Sequence, residues 1–111
     1  MPSSYQQGCI DVVVLDDRLT GDVSDELIGL LNNVLRGGLP QVVIDLSNVR
    51  LADSEGLECL CEFQEKCAAR GGDLRLAAPR PLISDVLRVT GVDEKVLVSD
   101  DVIAAAGEFA L

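Results

Sequence analysis

The chain has 111 residues, of which 48% are hydrophobic and only 3% aromatic, so Leu, Val, Ile and Ala must fill the core of one domain of ordinary size. Nineteen acidic residues against nine basic ones leave a formal net charge of −10, a field that repels phosphate backbones and anionic lipid surfaces and suits a partner with a basic patch. Neither an apolar run of the ~20 residues that span a bilayer nor a basic-then-apolar leader is visible, which predicts a cytoplasmic protein with its four cysteines reduced.

Ser3 to Gln7 signal an edge strand only faintly. The β-branched run Ile10 to Leu15 reads as the first clear strand, followed by a polar stretch from Asp16 to Asp22. Ser24 is placed to cap a helix carrying Leu27, Leu30, Leu31, Val34 and Leu35 at helical spacing, with Gly37 and Gly38 ending it. Val42 to Leu46 is a second buried strand. After a short loop, Asp53 caps a helix over 54–69 whose apolar face reads as Leu57, Leu60, Cys61 and Ala68, and Gly71-Gly72 stop it.

A third strand spans Leu74 to Ala77. A helix from Pro81 to Val89 has proline in its first turn and leads to Gly91. Val96 to Val98 is the last strand and Val102 to Phe109 the last helix. Strands and helices alternate, so the fold class is α/β: a mostly parallel sheet of about four to five strands with about four helices and right-handed crossovers. Residues 1–111 form one domain, with no internal repeat or linker.

The segment Val42 to Leu57 holds the candidate site. In parallel α/β folds, ligand and partner sites gather beyond the carboxyl ends of the strands. A hydroxyl in a helix's first turn, as at Ser54, lies where free N–H groups and the dipole favour added negative charge. Asp53 and Ser54 are also simple capping residues, and spacing alone separates neither reading.

Other chemistry finds little support. At 100° per residue Cys59 and Cys61 point about 200° apart and Cys67 lies about 80° from Cys59, so they cannot converge on a metal, and the chain has no histidine. Cys61 is expected to pack in the core, with the other two as bystanders. Asp16, Asp17, Asp45 and Lys95 suggest a phosphoacceptor receiver site, but Lys95 precedes its strand where a receiver needs it after. A P-loop, a dinucleotide fingerprint and a Ser-His-Asp triad are absent from the sequence, so no enzyme and no cofactor are expected.

The run Asp45-Leu46-Ser47, then Val49 and Leu51, then Asp53-Ser54-Glu55-Gly56-Leu57 resembles the STAS domain, the sulfate-transporter and anti-sigma-factor-antagonist family. The likeness continues through Gly71-Gly72 and Leu87 to Gly91 and covers nearly the whole chain. It implies a protein that binds a serine-kinase anti-sigma factor and is released when Ser54 is phosphorylated, with Thr20, Asp22, Asp53, Glu55, Gly56 and Glu58 at the partner surface. Two positions depart from the family pattern: Glu55 stands where a small residue is usual, and Thr20 where an acid is usual. The alternative the resemblance offers is a constitutive docking subunit of a bacterial lipid-transport ATPase or permease assembly, bound through the same helix without a switch.

Overall fold

The structure, a computed structural model, describes residues 3–7, 10–35 and 40–109. Five strands form one sheet in the order β1-β2-β3-β4-β5: β1 Ser3–Gln7, β2 Ile10–Leu19, β3 Gln41–Ala52, β4 Asp73–Ala77 and β5 Leu97–Ser99. β1 runs antiparallel to β2, with Tyr5 opposite Val12, and every other pair is parallel. The helices are α1 Ser24–Leu35, α2 Ser54–Ala69, α3 Pro81–Val89, α4 Val92–Lys95 and α5 Val102–Phe109.

Period-two alternation divides each strand between two cores. Val13 and Leu15 of β2, Val42, Ile44 and Leu46 of β3, and Leu74 and Leu76 of β4 face α1, α2 and α3. Val12, Val43 and Ala77 point the other way, into a smaller cluster with Ala105 of α5. Phe63, 2% exposed, is the one aromatic ring in the larger core among the described residues.

The fold class expected from the sequence is the one found, with local differences. β2 and β3 run several residues past their apolar segments, because Asp16, Asp17, Arg18 and the buried Leu19 pair in parallel with Asn48 to Ala52 across two register shifts. Asp17 takes up one of these shifts in the left-handed region, at φ 57°. The edge strand β1 is formed. A single 3-10 turn, Gly21–Val23, precedes α1, so Ser24 lies inside the helix and its hydroxyl donates back to the Thr20 carbonyl instead of capping. Gly91, at φ 79°, reverses the chain after α3 and lets it rewind as α4, giving five helices and delaying β5 by one residue.

The end of α2 is a Schellman motif: the Gly71 amide donates to Ala68 and the Gly72 amide to Cys67, with Gly71 left-handed at φ 81°. Gly72 also lies against the Pro40 carbonyl, where a Cβ would sit 2.7 Å from the carbonyl carbon. Gly37 and Gly38, read as the end of the first helix, lie outside the described residues. The Leu35 carbonyl at the end of α1 accepts from the Arg70 guanidinium at 2.6 Å, a cation at the negative end of a helix.

The cysteines reverse the expectation. Cys59 and Cys67 are buried, at 5% and 1% exposure, while Cys61 is only partly covered and Ala68 is exposed. Phe63 sets the reason: the buried arc of α2 centres on it, and Cys59 and Cys67 lie four residues to either side.

Candidate functional site

The site lies where β2 and β3 end and α2 begins. Asp53 follows β3 in an extended conformation and caps α2, its Oδ1 accepting the Gly56 amide at 2.9 Å. Its Oδ2 accepts the Gly21 amide at 3.1 Å, so one carboxylate satisfies the starts of two helical segments. The Asp53 amide in turn donates to the Leu19 carbonyl at 3.1 Å, fixing the β2 end against the β3 end.

With the cap supplied by Asp53, Ser54 is the first helical residue and is exposed. Glu55 and Glu58 are exposed as well. The Glu55 side chain folds across Gly21: a Cβ on Gly21 would lie 2.9 Å from the Glu55 carboxyl carbon. Gly56 is buried and lies under the Leu19 carbonyl, where an added Cβ would come within 2.6 Å of the carbonyl carbon. Its place in the motif therefore follows from packing, since only a bare Cα allows α2 this close to β2.

Thr20 is 8% exposed, and its hydroxyl donates to the Asp22 carboxylate. That bond, with Arg18 ion-paired to the same carboxylate, holds the Asp22 carboxyl below its ordinary range. Of the seven residues drawn from the sequence, Ser54, Glu55, Glu58, Asp53 and Asp22 present exposed surface, whereas Thr20 and Gly56 shape it from beneath.

Where β3 runs on past its last pairing with β4, at Asp45, the Ser47 amide donates to Asp45 at 2.9 Å in an Asx turn, and the Ser47 carbonyl accepts from Arg80 at 2.9 Å. Arg80 immediately precedes α3 and so ties its start to β3 at Ser47. Between α2 and the α3–α4 segment opens a groove of about 230 Å³. α2 supplies Ser54, Leu57, Glu58 and Cys61, and the facing wall is Thr90, Val92 and Lys95. Sequence reasoning missed Arg80, Thr90 and Val92 and weighed Lys95 only for a receiver site; the partners that give them meaning are far away in the chain.

Among the described residues no group of three or more His, Cys, Asp or Glu is placed to hold a metal, and no helix is long and apolar enough to cross a membrane. Burial raises the Cys59, Cys61 and Cys67 thiols, Cys67 to about 11, which leaves them poor nucleophiles at neutral pH.

A family model described as "Mlab, STAS domain" matches residues 5–99. Among solved structures, an anti-sigma-factor antagonist (STAS) domain protein from Planctomyces limnophilus superposes with TM-score 0.89 at 20% identity, covering 99% of this chain and 98% of that one. An anti-sigma factor antagonist from Mycobacterium paratuberculosis gives 0.87 at 22% identity, with 97% and 92% covered. A sulfate transporter family protein from Wolinella succinogenes gives 0.78 at 24% identity, with 91% and 84% covered. No curated protein matches the sequence. These likenesses fix the fold, and the family model, which takes in both the Asp45-Leu46-Ser47 strand end and the Asp53 cap, fixes the affiliation: the chain belongs to the STAS domain family.

Proposed function

We propose that this chain is an anti-sigma-factor-antagonist-type regulatory protein: it binds a serine-kinase anti-sigma factor through the start of α2 and is released when Ser54 is phosphorylated. The observation that carries this reading is the division of labour between Asp53 and Ser54. Asp53 makes the capping bond, so the Ser54 hydroxyl is exposed and a phosphate on it disturbs no cap. The α2 N-terminus tolerates the added charge of about −1.5 to −2, while a docked partner must bury it beside Asp53, Glu55 and Glu58, at a cost in desolvation and like-charge repulsion. The switch thus works at the interface and leaves the fold as it is. In this reading the domain spans residues 1–111, acts in the cytoplasm without a cofactor, and is no enzyme.

The test is titration of the unmodified protein, Ser54→Ala and Ser54→Asp against the cognate kinase, with mass spectrometry of Ser54 after incubation with ATP. Ser54→Ala should bind as wild type and resist modification. Ser54→Asp should lose affinity by several kcal/mol, the size of a like-charge clash in a docked surface. Equal binding of Ser54→Asp, or phosphate found elsewhere, sinks the switch.

One observation favours a second reading, the constitutive docking subunit of a lipid-transport ATPase or permease assembly. Glu55 already places a carboxylate beside Ser54, and the matching family model carries the description "Mlab". Co-purification with a transporter subunit, unaffected by Ser54→Asp, decides for this alternative.

A further inference from the structure

The groove between α2 and the α3–α4 segment carries more than the Ser54 hydroxyl. Its floor is apolar, with Leu57 and Val92 and the partly covered Cys61. On the α3 side an uncovered apolar flank adjoins it. Taking Ile83 and Leu87 as the buried face of α3, Leu82, Val86 and Val89 fall together on one flank at i, i+4 and i+7. Leu82 is 65% and Val89 78% exposed, and the next residue, Thr90, lines the groove. Val89 therefore brings the apolar strip to within one residue of the groove's lining.

The opposite bank has a different character. Glu55, Glu58, Glu62 and Glu65 of α2 are all exposed and, at 100° per residue, lie within about 80° of arc. Like charges at i, i+3 and i+4 repel along a helix, so this row does not serve the stability of α2. Among the described residues, Lys66 lies over the Phe63 ring at 5.0 Å, and Lys95 stands on the facing wall of the groove.

An apolar strip bordered on one side by three turns of glutamate has the complement of an amphipathic helix. We infer that the groove and the α3 flank form a docking surface for a basic amphipathic helix of a protein partner, its apolar stripe on Leu82, Val89 and the groove floor and its Lys or Arg row on the α2 glutamates. This helix-in-groove mode uses i, i+3, i+4 and i+7 anchors for its affinity and the charge row for its orientation. A second copy of this chain is a poor occupant, since each copy carries a net charge of −10. An anionic lipid surface meets the same repulsion. The inference rests on reading the domain as a docking module and goes beyond it in naming the surface and the chemistry of its partner.

The experiment needs neither a kinase nor a phosphate, so it stands or falls separately from the Ser54 switch. The full chain, labelled with nitrogen-15, is titrated with a synthetic Leu/Lys amphipathic peptide of about 18 residues, long enough to hold a helix once docked. Two control peptides keep the length: one has serine at the leucine positions, the other glutamate at the lysine positions. The Leu/Lys peptide should shift the amides of Leu57, Cys61, Thr90 and Val92. L82S and V89S should each weaken it about tenfold, as for anchor positions of an interface. The triple variant E58Q/E62Q/E65Q should weaken it and flatten its salt dependence.

All of these positions are exposed, and matching melting curves will show that each variant is folded. The inference is overturned if the serine-substituted peptide binds equally well, if the shifts fall on α5 or β1, or if L82S and V89S bind like wild type. It is also overturned if the protein alone dimerises through α3, or if the strip binds anionic vesicles in preference to the peptide.

Discussion

Asp53 and Gly21 are 32 residues apart in the chain, yet the Asp53 carboxylate accepts the Gly21 amide at 3.1 Å while its other oxygen caps α2. Asp53→Ala removes both bonds and should destabilise the domain by about 2 kcal/mol, the upper end for a lost cap. Asp53→Asn can keep the Gly56 bond but offers an N–H where Gly21 needs an acceptor, so it should fall between the two. Urea unfolding of the three proteins checks the order, and equal midpoints would remove the bridge from the account.

Gly56 has no room for a side chain beneath the Leu19 carbonyl. Gly56→Ala should therefore cost about 2 kcal/mol or more, because the obstacle is backbone and α2 must move off β2. Gly56→Val should be worse and should also disturb the Ser54 surface. A stable, fully folded Gly56→Val would contradict the described approach of the helix.

Gly21 is crowded by a flexible side chain, Glu55, and not by backbone. Gly21→Ala should cost little, because the carboxylate can swing away. Combined with Glu55→Ala the cost should shrink further, giving a coupling of about 0.5–1 kcal/mol in a double-mutant cycle. Strict additivity would mean that the two groups do not touch in solution.

Ala78 follows β4 with φ 55°, a left-handed conformation in a residue with a Cβ, and its amide donates to Ser99 at 2.9 Å. The conformation costs about 1–2 kcal/mol in an alanine. Glycine removes that strain but gains about 0.4–1 kcal/mol of unfolded-state freedom. Ala78→Gly should thus stabilise the domain by roughly 0.5–1 kcal/mol, the net of those two terms. A loss of stability in thermal unfolding would count against the assignment.

Cys67 is buried and its thiol titrates at about 11 against an ordinary 9.0. Between those values the native state keeps a proton that the unfolded chain has lost, so stability is intact below pH 9 and falls as pH rises towards 11. Cys67→Ala should make that alkaline slope shallower, although its cavity lowers stability at every pH. Thiol labelling at neutral pH should find Cys61 ahead of Cys59 and Cys67.

How far the sequence foretells this site depends on where the signal lies. The strands Val42 to Leu46 and Leu74 to Ala77 are legible because they are apolar runs between turn residues, and the α2 start because Asp53 and Gly56 have local jobs. The extension of β2 through Asp16, Asp17 and Arg18 is not, since these residues look like a loop and pair only because Asn48, Val49 and Leu51 of β3 run beside them. The buried face of α2 is legible at Leu57 and Leu60 but not at Cys59 and Cys67, for a related reason. Leu57, Leu60 and Cys61 make a plausible stripe alone, but Phe63 dominates by volume and turns Cys59 and Cys67 inward. The groove is invisible in sequence, as Ser54 and Lys95 become neighbours only through the fold.

From β2 to β5 each strand lies beside the strand that precedes it in the chain, so the sheet can grow in synthesis order from short crossovers. α5 is the exception: it reaches back over β3 and β4 to cover Val43 and Ala77 on the sheet's second face. Detaching that eight-residue helix breaks no strand pairing. Native-state hydrogen exchange should accordingly find α5 opening at a lower free energy than β3, as a separate last-formed and first-lost unit. While it is open, Val12 and Val43 become a bare aliphatic patch, which makes the closing helix, and not the edge of the sheet, the guard against aggregation.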